Sequence, residues 1–208
     1  MCRFIESIKV EDQKAFLIEL HQKRVNETFS HYGKECGINL QDIFTNLNVD
    51  EDGLYKLRIS YDLESNYQTQ LIPYAIPEID DFQIVEVDNL DYRFKYEDRV
   101  VFQNLKTKTK AEEIVIIIDG YVTDTSFSNL VFLKDKEWFT PKTYLLNGVQ
   151  RQNLLASGKI KELEITLDNI KEFSHFQIIN AMNDFDDMFE YPISKISNLP
   201  KDYRYMEL

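Results

Sequence analysis

"YRFKYEDR", residues 92–99, sets a lysine between two aromatic rings, Phe94 and Tyr96, in a chain that is otherwise strongly acidic. Lysine is seldom buried without a partner, so the stretch admits two readings. In the first, Tyr-Arg-Phe-Lys-Tyr has the period of two of a strand, with Tyr92, Phe94 and Tyr96 turned to the core and the charges to water. In the second, Lys95 is a desolvated amine, because burial lowers a lysine's pKa and frees it to act as a base or a Schiff-base nucleophile. The stretch by itself leaves both open.

The rest of the composition narrows the function classes. A chain of 208 residues can bury one large core or two small ones. Its net charge of −12 and pI near 4.7 argue against nucleic-acid and anionic-membrane partners, which need a concentrated basic surface. Cys2 and Cys36 stand apart, with no CxxC or Cys/His cluster, so neither a disulfide framework nor a metal site is expected. That usage fits a reducing cytoplasm. "MCRFIESIKV" carries Glu6 within its apolar stretch and lacks a cleavage-site pattern, and no run reaches the length of a membrane span. The expectation is a soluble cytoplasmic protein.

Outward from residue 92, "FIESIKV" (4–10) alternates like a strand, "EDQKAFLIEL" turns back as a second short one, and "LIELHQKRVNETFSHYG" (17–33) reads as a helix. Its apolar positions are Leu17, Leu20, Val25, Phe29 and Tyr32, with Gly33 as the stop. "LYKLRISYDL" and "YQTQLIPYAI" supply two more strands, and the two prolines and acidic run of "IPYAIPEIDD" mark a boundary. Two domains are therefore expected, a small α+β unit over 1–78 and a larger one over 79–208. In the second, "FQIVEVDNL" is a strand, "YEDRVVFQNLKTK" contains a helix, and "EEIVIIIDG" is a buried strand closing at Asp119-Gly120. "YVTDTSFSNLVFLKDKEWFTP" reads as a polar loop between strands, and "VQRQNLLASG" as a helix ending at Gly158. "ELEITLDNIKEFSHFQIINAM" gives strand, short helix and strand, with Asp168 as candidate N-cap. Without regular βαβ alternation, the fold class is α+β rather than a doubly wound sheet.

Four stretches, taken together, resemble the class IV aminotransferase family of pyridoxal-phosphate enzymes, which contains branched-chain and D-amino-acid aminotransferases and aminodeoxychorismate lyase. "LHQKRVNETF" is similar to the family's early helix and "YRFKYEDR" to its lysine segment. "DGYVTDTSFSN" (119–129) resembles the signature Gly-x-Val-Thr-Glu-x-Ser-x-Ser-Asn, and "TPKTYLLNGVQR" with "INAM" (179–182) the later phosphate-binding turns. The resemblance implies a two-domain D-amino-acid aminotransferase-like fold with a shortened N-terminal domain, pyridoxal 5′-phosphate as cofactor, a small-molecule amino substrate and a homodimer.

Residue by residue, it implies that Lys95 carries the cofactor and moves the substrate proton. Arg24 would pair with the phosphate, for which a guanidinium offers two parallel hydrogen bonds. Gly148, Val149 and Gln150 would present N–H groups to it at a helix N-terminus, and Asn180 and Ala181 match the second turn. Asp124 would face the pyridine nitrogen and keep it protonated. Two departures stand out: aspartate occupies position 124 where the family usually has glutamate, and Gln150 a position often held by threonine. Arg99 is placed to orient a neighbour, and none of His21, His31 and His175 is assigned to catalysis. The Asn-Ala of "INAM" and the compact chain favour a lyase that releases pyruvate and leaves 4-aminobenzoate. An amino-acid aminotransferase is the alternative, and a degenerate relative that binds without turnover a second.

Overall fold

The computed structural model describes residues 3–47, 49, 52–187 and 189–199; Cys2 and residues 200–208 lie outside them. The first half of the chain builds a four-stranded sheet in the order β2-β1-β3-β4. Its strands are β1 (Arg3–Glu11), β2 (Lys14–Ala15), β3 (Leu54–Asp62) and β4 (Tyr67–Pro73). β1 and β3 pair antiparallel along their whole lengths, Arg3 opposite Asp62 through Glu11 opposite Leu54. Period-two alternation then sorts the side chains. Phe4, Glu6, Ile8 and Val10 share a face with Leu57, Ile59 and Tyr61, and that face is buried.

Helix α1 (Ile18–His31) covers that face. Its inward stripe differs from the expected one: the buried positions are His21, Arg24, Val25, Thr28 and Phe29, whereas Tyr32 is exposed. Val25 and Phe29 hold their expected inward places, and the polar His21 and Arg24 beside them meet Glu6. Helix α1 stops as expected at Gly33, whose φ of +65° is cheap only for glycine, while Lys34 N–H reaches back to Phe29 O. A short helix α2 (Leu40–Thr45), capped by Asn39 Oδ1 on Asp42 N–H, fills the connector.

The second half forms an eight-stranded sheet with the path β10-β9-β8-β7-β6-β5 and with β11 and β12 joined beside β8. The strands are β5 (Phe82–Val87), β6 (Glu113–Ile118), β7 (Tyr121–Thr125), β8 (Asn129–Lys134), β9 (Glu137–Pro141), β10 (Lys161–Leu163), β11 (His175–Ile179) and β12 (Tyr191–Pro192). Helix α3 (Val100–Lys106) lies between β5 and β6, and α4 (Val149–Ala156) between β9 and β10. Ile118 pairs with Tyr121, so Asp119 (φ 52°) and Gly120 (φ 80°) make a two-residue hairpin turn whose primed geometry needs positive φ at both positions. The polar stretch after it is strand as far as Thr125, and only residues 126–128 form the loop. The short helix expected near Asp168 is a 3₁₀ turn (Ile170–Glu172) with Asn169 as its N-cap. Its side chain makes no cap bond to the turn; Asn169 Oδ1 instead accepts from Thr166 N–H, ahead of it, at 2.9 Å.

With mixed sheets and few helices, the architecture is α+β. Between the two sheets the segment 90–99 runs as irregular chain rather than as a strand.

Candidate active site

Segment 94–97 nevertheless borrows strand character from the edge of β1. Ile5 N–H donates to Lys95 O at 2.9 Å, Glu97 N–H to Arg3 O at 2.9 Å, and Tyr96 bridges Phe4 antiparallel. Alternation along this edge separates the residues. Phe94 and Tyr96 join Phe4 in a ring cluster, at centroid distances of 6.4 and 5.4 Å. Lys95 and Glu97 face the other way, into a cleft of about 470 Å³ between the sheets, within the range usual for small-molecule sites. The period-two reading of "YRFKYEDR" thus describes Phe94 and Tyr96, but the charged face meets the cleft and not bulk water.

The side chain of Lys95 keeps partial exposure because the cleft is open. Its amine is nevertheless strongly desolvated, and burial, helped by the Arg24 and Arg99 charges, lowers its pKa to about 7 against the opposing pull of Glu6 and Asp124. Near neutral pH a large share of this amine is unprotonated and nucleophilic.

Opposite Lys95, Asp124 near the end of β7 is 5% exposed. Its Oδ2 accepts the backbone N–H groups of Leu145 (3.0 Å) and Leu146 (2.9 Å), and Oδ1 accepts Asn129 Nδ2 at 2.7 Å. Burial pushes the Asp124 pKa up to about 6 in spite of these three donors. Asn129 also donates to Leu146 O at 2.8 Å, so one amide clamps Asp124 to the 145–146 chain. Gly148 stands against this clamp: a Cβ there would collide with Asn129 Oδ1 and lie 3.3 Å from its Cγ.

Gly148 and Val149, at the start of α4, line the cleft, as do Asn180 and Ala181. Asn180 Nδ2 donates to Ser128 Oγ at 2.8 Å while its Oδ1 caps Met182 N–H at 2.8 Å. Gln150 is off the wall, its buried side chain donating to Asn183 O at 3.0 Å. Arg99 donates to Ser126 O and stacks over Phe102 at 5.0 Å, tying α3 to the 126–128 loop. That loop is held from beneath by Glu113, which accepts Ser126 N–H (2.9 Å) and Ser126 Oγ–H (3.0 Å).

Arg24 reaches the cleft from α1. Its Nε and Nη2 clasp Glu6 at 2.9 and 2.5 Å, and Glu6 also accepts His21 Nδ1–H at 2.5 Å. Burial alone would raise the Glu6 pKa, but Arg24 and His21 hold it at about 2. Glu6, Asn129 and Glu113 are the residues that sequence reasoning passed over. For Glu6 a signal existed, since a carboxylate in register with Phe4, Ile8 and Val10 must enter the core. Among the described residues no cluster of metal-ligating side chains is present, and no helix is long and apolar enough to cross a membrane.

Comparison with known proteins agrees with this geometry. The amino-transferase class IV family model matches residues 93–193. An uncharacterized protein of Haemophilus influenzae is 36% identical over 187 residues, covering 88% of this chain and 99% of its own length. The crystal structure of a protein from Haemophilus somnus 129PT, provisionally named 4-amino-4-deoxychorismate lyase, is 34% identical with a TM-score of 0.82, covering 89% of this chain and 98% of that one. A hypothetical aminotransferase from Mycobacterium tuberculosis in a PLP-bound form shares the fold at 15% identity, with a TM-score of 0.72 and 96% and 83% coverage.

Proposed function

Since the chain belongs to the class IV aminotransferase family, we propose that its cleft binds pyridoxal 5′-phosphate and works as a 4-amino-4-deoxychorismate lyase, releasing pyruvate and leaving 4-aminobenzoate. The observation that carries the cofactor is the desolvated amine of Lys95 in one cleft with a clamped carboxylate, Asp124, and a clasped guanidinium, Arg24. The donor set fits: an amine for the aldehyde, an anion for the ring nitrogen, and Arg24 with the α4 N-terminus for the phosphate. When bound, the cofactor supplies an electron sink for the carbanion formed beside the substrate nitrogen.

The chain's own groups then divide the work. Lys95 Nζ would hold the cofactor at its aldehyde and, once freed, with a pKa of about 7 and so part unprotonated near neutral pH, would take the proton from substrate carbon. Asp124 would keep the proton on the ring nitrogen, its direction fixed by two backbone donors and Asn129. Gly148 and Val149 offer N–H groups, and Gln150 contributes through its backbone alone because its side chain is spent on Asn183. Asn180 and Ala181 close the phosphate end. Support for the lyase over an aminotransferase comes from the Haemophilus somnus protein, similar across nearly its entire length. We also infer a homodimer, supported by the exposed Val100 and Val101 at the start of α3, next to Arg99 on the cleft wall.

Two measurements test the reading. Borohydride reduction of cofactor-loaded protein followed by peptide mapping should find the adduct on Lys95, and an adduct elsewhere or none would sink the cofactor assignment. A coupled assay should detect pyruvate from aminodeoxychorismate with no added keto acid. Keto-acid formation from amino acids without pyruvate release would replace the lyase by an aminotransferase.

A further inference from the structure

A carboxylate, Glu6, and an imidazole, His21, both 0% exposed, lie immediately behind the one guanidinium that α1 sends into the cleft. We propose that Glu6, steadied by His21, is a positioning residue that aims Arg24 at the phosphate group of the ligand, an inference resting on the cofactor reading above.

Glu6 Oε1 takes Arg24 Nε and Glu6 Oε2 takes Nη2, a two-pronged clasp that fixes both the position and the plane of the guanidinium. No bond from Nη1 to another group is present among the described residues, and Arg24 lines the cleft, so the clasp leaves Nη1 as the nitrogen offered to a ligand. His21 completes the arrangement. Its Nδ1–H goes to Glu6 Oε2, while its Nε2 is buried with no partner. A ring that sacrifices one nitrogen in this way is held for what the other does, and the other prevents the carboxylate from rotating about its last bond. The carboxylate comes from β1 and the other two groups from successive turns of α1, so the triad also ties the helix to the sheet.

Simple electrostatics predicts the opposite of positioning. An anion behind Arg24 repels a phosphate, so removing the Glu6 charge should tighten phosphate binding if orientation were irrelevant. Glu6→Gln keeps the volume and one acceptor but turns an amide NH₂ either toward Arg24 Nε or toward Arg24 Nη2 and His21 Nδ1, which loosens the clasp. The experiment titrates apo protein with pyridoxal 5′-phosphate and with pyridoxal, which lacks the phosphate, and takes the ratio of dissociation constants as phosphate selectivity. Expected for Glu6→Gln is a fall in selectivity of at least about tenfold with pyridoxal affinity little changed, the scale of one charge-assisted hydrogen bond. Unchanged or increased selectivity overturns the proposal. Arg24→Lys is the second variant and is independent of how the core tolerates a changed Glu6. A lysine ammonium lacks the planar fork that grips both Glu6 oxygens while holding a further nitrogen toward the cleft, so the same loss is expected, whereas retained selectivity would show that charge alone suffices. Arg24→Ala separates the two levels: if it leaves selectivity intact, the assignment of Arg24 to phosphate fails, and if it abolishes selectivity while Glu6→Gln does not, only the positioning role fails.

Discussion

Gly148→Ala tests whether the clamp on Asp124 is as tight as its geometry indicates. The added methyl would overlap Asn129 Oδ1 and approach its Cγ at 3.3 Å. Asn129 cannot rotate away without giving up its bonds to Asp124 Oδ1 (2.7 Å) and Leu146 O (2.8 Å). Overpacking of this kind costs roughly 1–3 kcal/mol. Losing the two bonds instead costs roughly 0.5–1.5 kcal/mol for the carbonyl and roughly 1.5–3 for the charged acceptor. The structure will take the cheaper compromise, so a net loss of about 2 kcal/mol is expected, corresponding to a Tm lower by about 4–8 °C for a chain of this size. Calorimetry of the apo protein measures it. The companion Asn129→Ala variant removes the obstacle, so the double variant should cost clearly less than the sum of the two singles. A Tm within about 1 °C of the parent for Gly148→Ala, or strict additivity with Asn129→Ala, would refute the clamp.

The Lys95 amine should leave a signature in stability as well as in chemistry. Its pKa falls from 10.5 to about 7 on folding, so between those values the unfolded chain holds more protons and the stability of the apo protein should rise with pH. Lys95→Met should therefore be more stable than the parent at pH 6, by a margin that shrinks toward pH 10; thermal melts showing a constant margin would contradict the burial of the amine. Asp124→Asn should retain cofactor yet lose turnover by orders of magnitude at saturating cofactor, because the missing charge matters most when negative charge develops. Near-normal turnover would mean Asp124 only shapes its turn. Sedimentation at micromolar concentration should show a dimer, and a monomer with full activity would remove the interface inferred at Val100 and Val101.

What could be read from the sequence depended on whether a role belongs to a side chain's chemistry or to its neighbours in space. The strand pattern of "EEIVIIIDG" and its Asp-Gly turn are local, and β6 and the 119–120 hairpin follow from them directly. The aromatic frame of Lys95 gave the correct parity for Phe94 and Tyr96, but not the fact that the opposite face opens on a cleft. That depends on where β1 and the second sheet lie. Gln150 illustrates the limit from the other side. Spacing put the residue at the α4 N-terminus, where it is found, yet nothing in the spacing says that Asn183, thirty-three positions later, occupies its amide.

Asp124 shows why such second partners decide chemistry rather than decorate it. An aspartate is one methylene shorter than the glutamate the family usually carries, and at sequence level that shortening only raised the question of reach. In the folded chain three donors take hold of the carboxylate, two of them backbone N–H groups of residues 145 and 146, just ahead of the Gly148 turn. The same segment therefore fixes Asp124 and leads into the Gly148 turn, so on the proposed reading it would serve both the ring nitrogen and the phosphate. A substitution at Gly148 or Asn129 must then disturb both ends of the proposed cofactor site together, although neither residue carries a charge. The shorter acid is held because the 145–148 segment comes to it, and that segment can approach so closely only while position 148 has no side chain.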